Sequence, residues 1–326
     1  MFKSLISIND LSTEEIRKIM ELAAKVKARP QEVRDALEGH IFGFIFEKPS
    51  TRTWVSFQAG IYSMGGGVIY LGPEDIKLGV REEVRDVARV LSRYLSGVVM
   101  RTFSHWTITE FQDYFEKPVI NGLSDLEHPC QALADYMTLY EKIPAEKNPV
   151  LAFVGDGNNV LHSLMLVAAK LGAKIRYATP RKYQPKPKLL ALARQIAKKT
   201  GAVIEGFPDP MEAVKDADAI YTDVWVSMGE EAIRQKKLKD FKGMQINKEL
   251  LENAKEGALV MHCLPAHRGE EITNDVMESK HCVVFDEAEN RLHIQKAILL
   301  YLFNQGAIQR RKLCWPIPED LIPPAR

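Results

Sequence analysis

Short apolar runs alternate with polar, helix-periodic stretches along most of this chain, the pattern of repeated βαβ units. Residues 40–46, 68–71, 97–100 and 119–121 read as strands of one sheet. Residues 150–154, 174–178, 202–205, 219–224, 259–262 and 283–286 read as strands of a second. Between them, a helix over 13–28 starts from a capping box of Ser12 and Glu15 and carries Ile16, Ile19, Met20 and Ala23 on one face. Residues 33–37 read as a short helical or polar segment, 51–61 as a helix ended by Gly65-Gly66-Gly67, and 72–81 as a loop. Further helices are predicted over 82–95, 107–115, 125–140, 186–199 and 289–305. The expected fold is α/β: two open parallel-sheet domains with a ligand cleft between them, ligands sitting at the carboxyl ends of the strands.

Length supports that division, because 326 residues exceed what a single core usually serves. The charged, proline-containing stretch 141–149 marks the boundary. The domains are then 1–147 and 148–288, with the last helix and tail, 289–326, packing back on the first. A formal charge of +1 gives no electrostatic case for nucleic acid or an anionic membrane as partner, so any anion chemistry must come from local placement. Cys130, Cys263, Cys282 and Cys314 are widely spaced, which suggests a reducing compartment instead of a disulfide framework or a zinc site. No signal-peptide region or spanning run is visible, and a cytoplasmic protein is expected.

Local placement is found first at Ser50-Thr51-Arg52-Thr53. Pro49-Ser50 reads as a turn with an N-cap, so the next three residues fall on the first turn of a helix directly after a buried strand. Unpaired N–H groups, hydroxyls and a guanidinium together make an anion seat, although a capped helix with an exposed arginine explains the same residues. Arg101 stands at the end of another strand, and His128 and Gln131 lie three apart at the start of a helix. That histidine either caps a neighbouring strand or donates to a carbonyl oxygen, with the amide sensing an adjacent amide group. Gly155-Asp156-Gly157 lacks the third glycine of a dinucleotide fingerprint, since Val160 stands there. Asn159 is placed to meet the polar end of a small substrate. The basic helix at 186–199 reads as a solvated face. Cys263 reads as a core thiol, a reactive thiolate or a member of an amine site, with His262 on the opposite side of its strand. Asp286, Glu287 and Glu289 read as surface charge, and Glu289, Arg291 and His293 alternate across a strand-to-helix transition, so only some of them can face a ligand.

In order along the chain, Ser50-Thr51-Arg52-Thr53, Arg101-Thr102-Phe103, His128-Pro129-Cys130-Gln131, Gly155-Asp156-Gly157-Asn158-Asn159, Asp223 through Gly229, His262-Cys263-Leu264-Pro265 and Glu287 through Arg291 resemble the aspartate and ornithine carbamoyltransferase family. The resemblance implies that Ser50, Thr51, Arg52, Thr53 and Arg101 hold the phosphate of carbamoyl phosphate. It implies that Thr53, Arg101 and His128 polarise the carbamoyl oxygen, that Gln131 binds the carbamoyl amine, and that Arg291 orients the ligand. Asn159, Asp223, Ser227 and Met228 are implied to hold the α-amino and α-carboxylate end of L-ornithine, Met228 through its backbone. Cys263 and the Leu264 carbonyl are implied to lie near the reacting groups. The expected reaction is carbamoyl transfer to the δ-amine of ornithine, with no metal or redox cofactor; service in arginine synthesis is the commoner expectation and citrulline breakdown the alternative. Another amine acceptor, such as putrescine or acetylornithine, or a non-catalytic binding protein, is the alternative.

The resemblance also implies a homotrimer or an assembly of trimers with shared active sites, the 72–81 segment reaching a neighbour's site through Lys77 or Arg81. Both residues also read as a solvated rim. Many ornithine enzymes of the family have Gln where this chain has Lys77. The family's usual motif continues with Arg and, four residues later, Glu, where this chain has Trp54 and Gln58; residues so spaced face one another on a helix and suggest a pair replaced as a unit.

Overall fold

A computed structural model describes residues 3–303; the expected tail to residue 326, with Cys314, lies outside the described residues. The chain divides into two compact units, one formed by residues up to Ala134 with those from Arg291 onward, the other by Asp135–Asn290.

The first unit holds a four-stranded parallel sheet of β1 (Ile41–Phe46), β2 (Gly67–Leu71), β3 (Gly97–Arg101) and β4 (Val119–Leu123), in the order β2-β1-β3-β4. β1 is apolar throughout and buried from its second residue on, as a strand covered on both faces must be. Around the sheet lie α1 (Thr13–Ala28), α2 (Thr51–Tyr62), α3 (Pro73–Ile76), α4 (Val84–Tyr94) and α5 (His105–Tyr114), while α6 (Pro129–Lys142) starts in this unit and belongs to the second from Asp135 on. The predicted capping box is present: Ser12 Oγ accepts from Glu15 N at 3.1 Å, and the Glu15 carboxylate accepts from Ser12 N at 2.8 Å. Residues 30–33 form a 3-10 turn, slightly ahead of the predicted 33–37 segment. The 72–81 stretch is not wholly loop, because Pro73 at the first helical position, followed by Glu74 and Asp75, starts one turn of helix.

The second unit holds a five-stranded parallel sheet of β5 (Val150–Val154), β6 (Lys174–Ala178), β7 (Val203–Phe207), β8 (Ala219–Thr222) and β9 (Leu259–His262), in the order β7-β6-β5-β8-β9. Its helices are α7 (Asn159–Leu171), α8 (Pro187–Thr200), α9 (Pro210–Val214), α10 (Arg234–Asp240), α11 (Lys248–Glu252) and α12 (Asn274–Met277), while α13 (Val284–Phe303) begins in this unit and belongs to the first from Arg291 on. The strand expected at 283–286 is instead the first turn of α13. Extended pairing there lasts one bridge, between Val260 and Cys282, closed by Val283 N donating to Val260 O at 3.0 Å. Glu289, Arg291 and His293 therefore lie within one helix, where Glu289 and His293, four residues apart, share a face and Arg291 is turned away from them.

Both sheets change winding direction once. In the first, the chain leaves β1 for β2 on one side and β3 on the other; in the second, it leaves β5 for β6 on one side and β8 on the other. Ligands of open α/β sheets bind at such switch points, at the carboxyl ends of the strands. Among the described residues no helix is long and apolar enough to cross a membrane.

Candidate active site

At the first switch point the register sets the geometry. Phe46, the last residue of β1, pairs with Arg101, the last of β3, and Glu47 N donates to Arg101 O at 2.8 Å. The Glu47 carboxylate accepts from Phe103 N at 2.7 Å, so the segments after the two strands are tied together. The register with β4 slips at this point: Met100 pairs with Asn121 but Arg101 with Leu123, a bulge that turns the end of the strand. Ser50 caps α2 as predicted, accepting from Thr53 N at 3.3 Å, and donates to Thr53 Oγ1 at 3.1 Å.

α13 delivers Arg291 to the same place. Its guanidinium donates to Thr53 Oγ1 at 2.8 Å and to Gln131 Oε1 at 3.0 Å, which joins α2, α6 and α13 through one buried side chain. His128 is buried immediately before α6. Loss of water holds its imidazole well below the ordinary value of 6.5, and Arg291, Arg101 and Arg52 act in the same direction. The ring is therefore neutral at physiological pH and offers a hydrogen bond without a second charge. Ser50, Thr51, Arg52, Thr53, Arg101, His128, Gln131 and Arg291 thus gather at one end of the first sheet. Cys130, buried beside them, has its thiol pushed up to about 12 by burial and is inert.

A depressed histidine has a thermodynamic signature. The native state binds fewer protons at His128 than the unfolded chain, so the stability that depends on the neutral ring is complete above 6.5 and is lost as pH falls below it. Wild type should lose up to ~1.4 kcal/mol per pH unit more than His128→Gln as pH drops toward about 5. Urea unfolding of both proteins across that range measures the difference, and parallel curves would show that the ring is not held neutral.

Trp54 and Gln58, which stand in place of the family's usual pair, each meet an aromatic ring. Trp54 packs on Tyr70 with ring centroids 5.0 Å apart, while Gln58 donates to the Tyr62 hydroxyl at 3.1 Å. Each has its own aromatic partner on the outer side of α2 and the edge strand β2. Lys77 adopts a left-handed backbone with φ 41° and pairs with Glu74 at 2.9 Å, and Arg81 lies 3.9 Å from Glu82. Both side chains are substantially exposed.

At the second switch point Asp223 follows β8 and Cys263 follows β9. Thr222 and His262 are the last paired residues of those strands, so the next residue of each is brought alongside the other. Cys263 Sγ donates to Asp223 Oδ1 at 2.9 Å, Val224 N donates to the same oxygen at 2.8 Å, and Asn158 Nδ2 donates to Oδ2 at 2.7 Å. Loss of water around the sulfur, then the Asp223 carboxylate, pushes the Cys263 thiol well above 9, so it is a hydrogen-bond donor and not a thiolate. Asn158 also caps α7, accepting from Val160 N and Leu161 N, which puts Asn159 on the first turn. Gly157 must be glycine, because a Cβ there would lie 2.3 Å from Pro185 N.

His262 is buried, but its ring comes close to Asp223 and Cys263 instead of lying on the opposite side of the strand as expected, and it holds the backbone beyond the strand. Its Nδ1 accepts from Leu264 N at 2.8 Å and its Nε2 meets Glu271 at 3.1 Å, so the ring carries its proton on Nε2 and fixes the Leu264 backbone, which has φ 57°. Asp223, His262 and Cys263 come close enough to suggest a metal site, yet both ring nitrogens are already engaged. In the second such group, His267, Glu270 and Glu271, the carboxylates are taken up by Arg234, His262 and His267 N.

Sequence reasoning missed several members. Glu287, expected at the surface, is buried, accepts from the Tyr221 hydroxyl at 3.2 Å and from His262 N at 3.1 Å, and is pushed well up by burial and Asp135. Glu127, also buried, accepts from Ile8 N at 3.0 Å and anchors the turn that delivers His128. The capping preference of asparagine could have flagged Asn158. No local signal marks the two buried glutamates.

The comparisons with known proteins follow the two sheets. Residues 3–141 match the carbamoyl-P binding domain, and residues 147–302 the Asp/Orn binding domain, of the aspartate/ornithine carbamoyltransferases. The chain is 50% identical to the ornithine carbamoyltransferase of Archaeoglobus fulgidus over 305 residues, covering 93% of this chain and 98% of that protein. Its fold is similar to the solved ornithine carbamoyltransferase of Pyrococcus furiosus, with a TM-score of 0.89 and 47% identity over 93% of this chain and 97% of that one. The anabolic enzyme of Campylobacter jejuni gives the same TM-score at 40% identity, over 93% and 99% of the two chains. With both sheets and nearly the whole length accounted for, the chain belongs to the aspartate/ornithine carbamoyltransferase family.

Proposed function

We propose that this chain transfers the carbamoyl group of carbamoyl phosphate to the δ-amine of L-ornithine, giving L-citrulline and phosphate. The observation that carries the proposal is the division of chemistry between the two switch points. One is cationic with a neutral imidazole, among Arg52, Arg101, His128 and Arg291; the other sets a carboxylate and a protonated thiol side by side at 2.9 Å.

The cationic cluster suits a phosphate with a reactive carbonyl. N–H groups of the first turn of α2, the Ser50, Thr51 and Thr53 hydroxyls, Arg52 and Arg101 take the phosphate oxygens. Neutral His128 and Arg101 donate to the carbamoyl oxygen, where negative charge develops as the amine attacks, and each such donor contributes on the order of 3 kcal/mol. The carbamoyl NH2 donates to the second lone pair of Gln131 Oε1, whose first is taken by Arg291. At the other switch point Asp223 and Asn159 receive the α-ammonium, and the Ser227 and Met228 segment receives the α-carboxylate. The δ-ammonium must first lose a proton, since only the free amine has a lone pair. The new C–N bond then forms, the C–O bond to phosphate breaks, phosphate leaves with that electron pair, and the attacking nitrogen gives up its remaining extra proton to the departing phosphate. The Cys263 thiol and the Leu264 carbonyl meet the carbamoyl group and orient the amine toward it, and the thiol takes no covalent part.

The deciding assay supplies carbamoyl phosphate with ornithine, acetylornithine, putrescine or aspartate and measures carbamoylated product and phosphate. Ornithine should exceed every other acceptor in kcat/KM by at least about two orders of magnitude, because a binding site built on charge-paired groups rejects analogues lacking them. Equal or better turnover of another acceptor would assign the chain to a different member of the family.

The proposal includes a homotrimer, alone or in larger assemblies, in the cytoplasm. Supporting it, Trp54, Val55 and Tyr62 of α2 and Ile69 and Tyr70 of β2 are exposed along the open edge of the first sheet, an apolar stretch that a second copy would cover. If Lys77 completes a neighbour's site, mixing inactive Arg101→Met and Lys77→Met chains should restore part of the activity. Confirmed mixed trimers without rescue would remove Lys77 from the site.

A further inference from the structure

A buried lysine lies behind the acceptor half-site. Lys237 of α10 is 1% exposed, and its ammonium donates to Asp156 Oδ2 and to Glu230 Oε2, both at 2.6 Å. It lies against aromatic rings, 5.3 Å from the centre of Tyr183 and 6.0 Å from that of Phe241. Burial works against the ammonium, but the two carboxylates outweigh it and hold its pKa above the ordinary lysine value. Burial pushes Asp156 up to about 6 against the pull of Lys237, so it is ionised at neutral pH.

The two carboxylates belong to different segments of the half-site. Asp156 is in the turn after β5, directly before Gly157, the cap residue Asn158 and Asn159. Glu230 closes the loop after Trp225: its Oε2 accepts from Ser227 N at 2.9 Å, and its own N donates to Ser227 O at 3.0 Å. One oxygen therefore links the lysine to the backbone of Ser227, beside Met228. Packing alone does not call for a charge here, since an apolar side chain among Tyr183 and Phe241 would avoid the cost of burying an ammonium. What the charge adds is a fixed distance between two segments that are far apart in the chain.

We infer that Lys237 is a positioning residue for the acceptor: its ammonium latches the 227–231 loop to the 155–157 turn, so that Ser227, Met228 and Asn159 meet the α-amino acid end of the acceptor together. The inference rests on the proposed function, which assigns those three residues to ornithine. Its consequence is a split between substrates, because the residues assigned to carbamoyl phosphate are in the first unit or, for Cys263 and Leu264, follow β9, and none of them touches this latch.

The experiment compares Lys237→Met, Lys237→Arg and Glu230→Gln with wild type in the full-length enzyme, measuring KM for each substrate, kcat and the thermal midpoint. Lys237→Met should raise KM for ornithine roughly tenfold or more, the loss of about one charge-assisted hydrogen bond, and leave KM for carbamoyl phosphate within about twofold. Lys237→Arg should recover most of the ornithine affinity. Glu230 is only partly buried, so Glu230→Gln should keep the wild-type thermal midpoint and still raise KM for ornithine, which decides the matter if Lys237→Met does not fold. Unchanged ornithine KM in folded Glu230→Gln and Lys237→Met, or equal shifts for both substrates, would overturn the latch. Wild type that turns over ornithine while the variants keep its KM removes the latch alone; wild type that ignores ornithine removes the proposed function itself.

Discussion

Replacing Arg101 with methionine should lower kcat/KM for carbamoyl phosphate by roughly three orders of magnitude while leaving the protein folded. Arg101 ends β3 at a bulge, is buried, and is held in place by backbone pairing with Phe46 and Glu47 that the substitution does not touch. A methionine of similar length fills the space, so what is lost is charge and the paired N–H donors. Losing one donor to a developing oxyanion costs about a hundredfold or more, and Arg101 is assigned to both the phosphate and the carbamoyl oxygen. The conservative variant Arg101→Lys should recover only part of the activity, because an ammonium supplies charge without the planar fork.

A second readout is independent of turnover. Arg101 is one of three guanidinium groups that disfavour the charged form of His128. Without it the imidazole takes up a proton more readily, so the acid limb of the pH–rate profile should move to higher pH in Arg101→Met. Steady-state kinetics across pH measures both effects. A variant with near-normal kcat/KM and an unmoved acid limb would place the carbamoyl phosphate site elsewhere.

The strands that build both switch points were legible because a parallel strand covered on both faces is apolar along its length, as β1 and β5 are. The helix cap at Ser50 was legible for a related reason: a hydroxyl following proline, ahead of a helix-periodic run, has few other uses. The same logic misled at 283–286. Val283, Val284 and Phe285 read as a strand by composition, but only one bridge forms before Asp286 and Glu287, at the amino end of α13, take up the favourable position for negative charge there.

Side chains whose role depends on a distant partner left no local trace. Lys237 and Asp156 are 81 residues apart, and Arg291 reaches Thr53 across 238. In the sequence Lys237 lies in a basic run that drew no reading, and Glu287 in an acidic one that read as solvated surface. Their burial is decided by tertiary pairing, which a local pattern cannot carry. The resemblance located Arg291 by position, and the structure supplies the physical reason it stands there: one guanidinium joins the first turn of α2 to the first turn of α6.

Asp223→Asn is expected to have the second large effect, a fall of about two to three orders of magnitude in kcat/KM for ornithine with little change in KM for carbamoyl phosphate. The carboxylate accepts three hydrogen bonds, from Asn158 Nδ2, Val224 N and Cys263 Sγ. An amide has one acceptor oxygen, so its NH2 must face a neighbour that is itself a donor, and the counter-charge for the α-ammonium is lost. The Cys263 thiol reports the change directly. Asp223 is the leading charge that holds it protonated, so the variant's thiol should ionise at lower pH and react faster with iodoacetamide at about pH 8, where wild type is slow. The two measurements separate the causes of failure. Slower turnover with unchanged alkylation would mean that the carboxylate binds ornithine but does not govern the thiol. Faster alkylation with unchanged ornithine kinetics would mean that the Asp223–Cys263 pair is real chemistry outside the acceptor site, and the assignment of ornithine to the end of β8 would have to be abandoned.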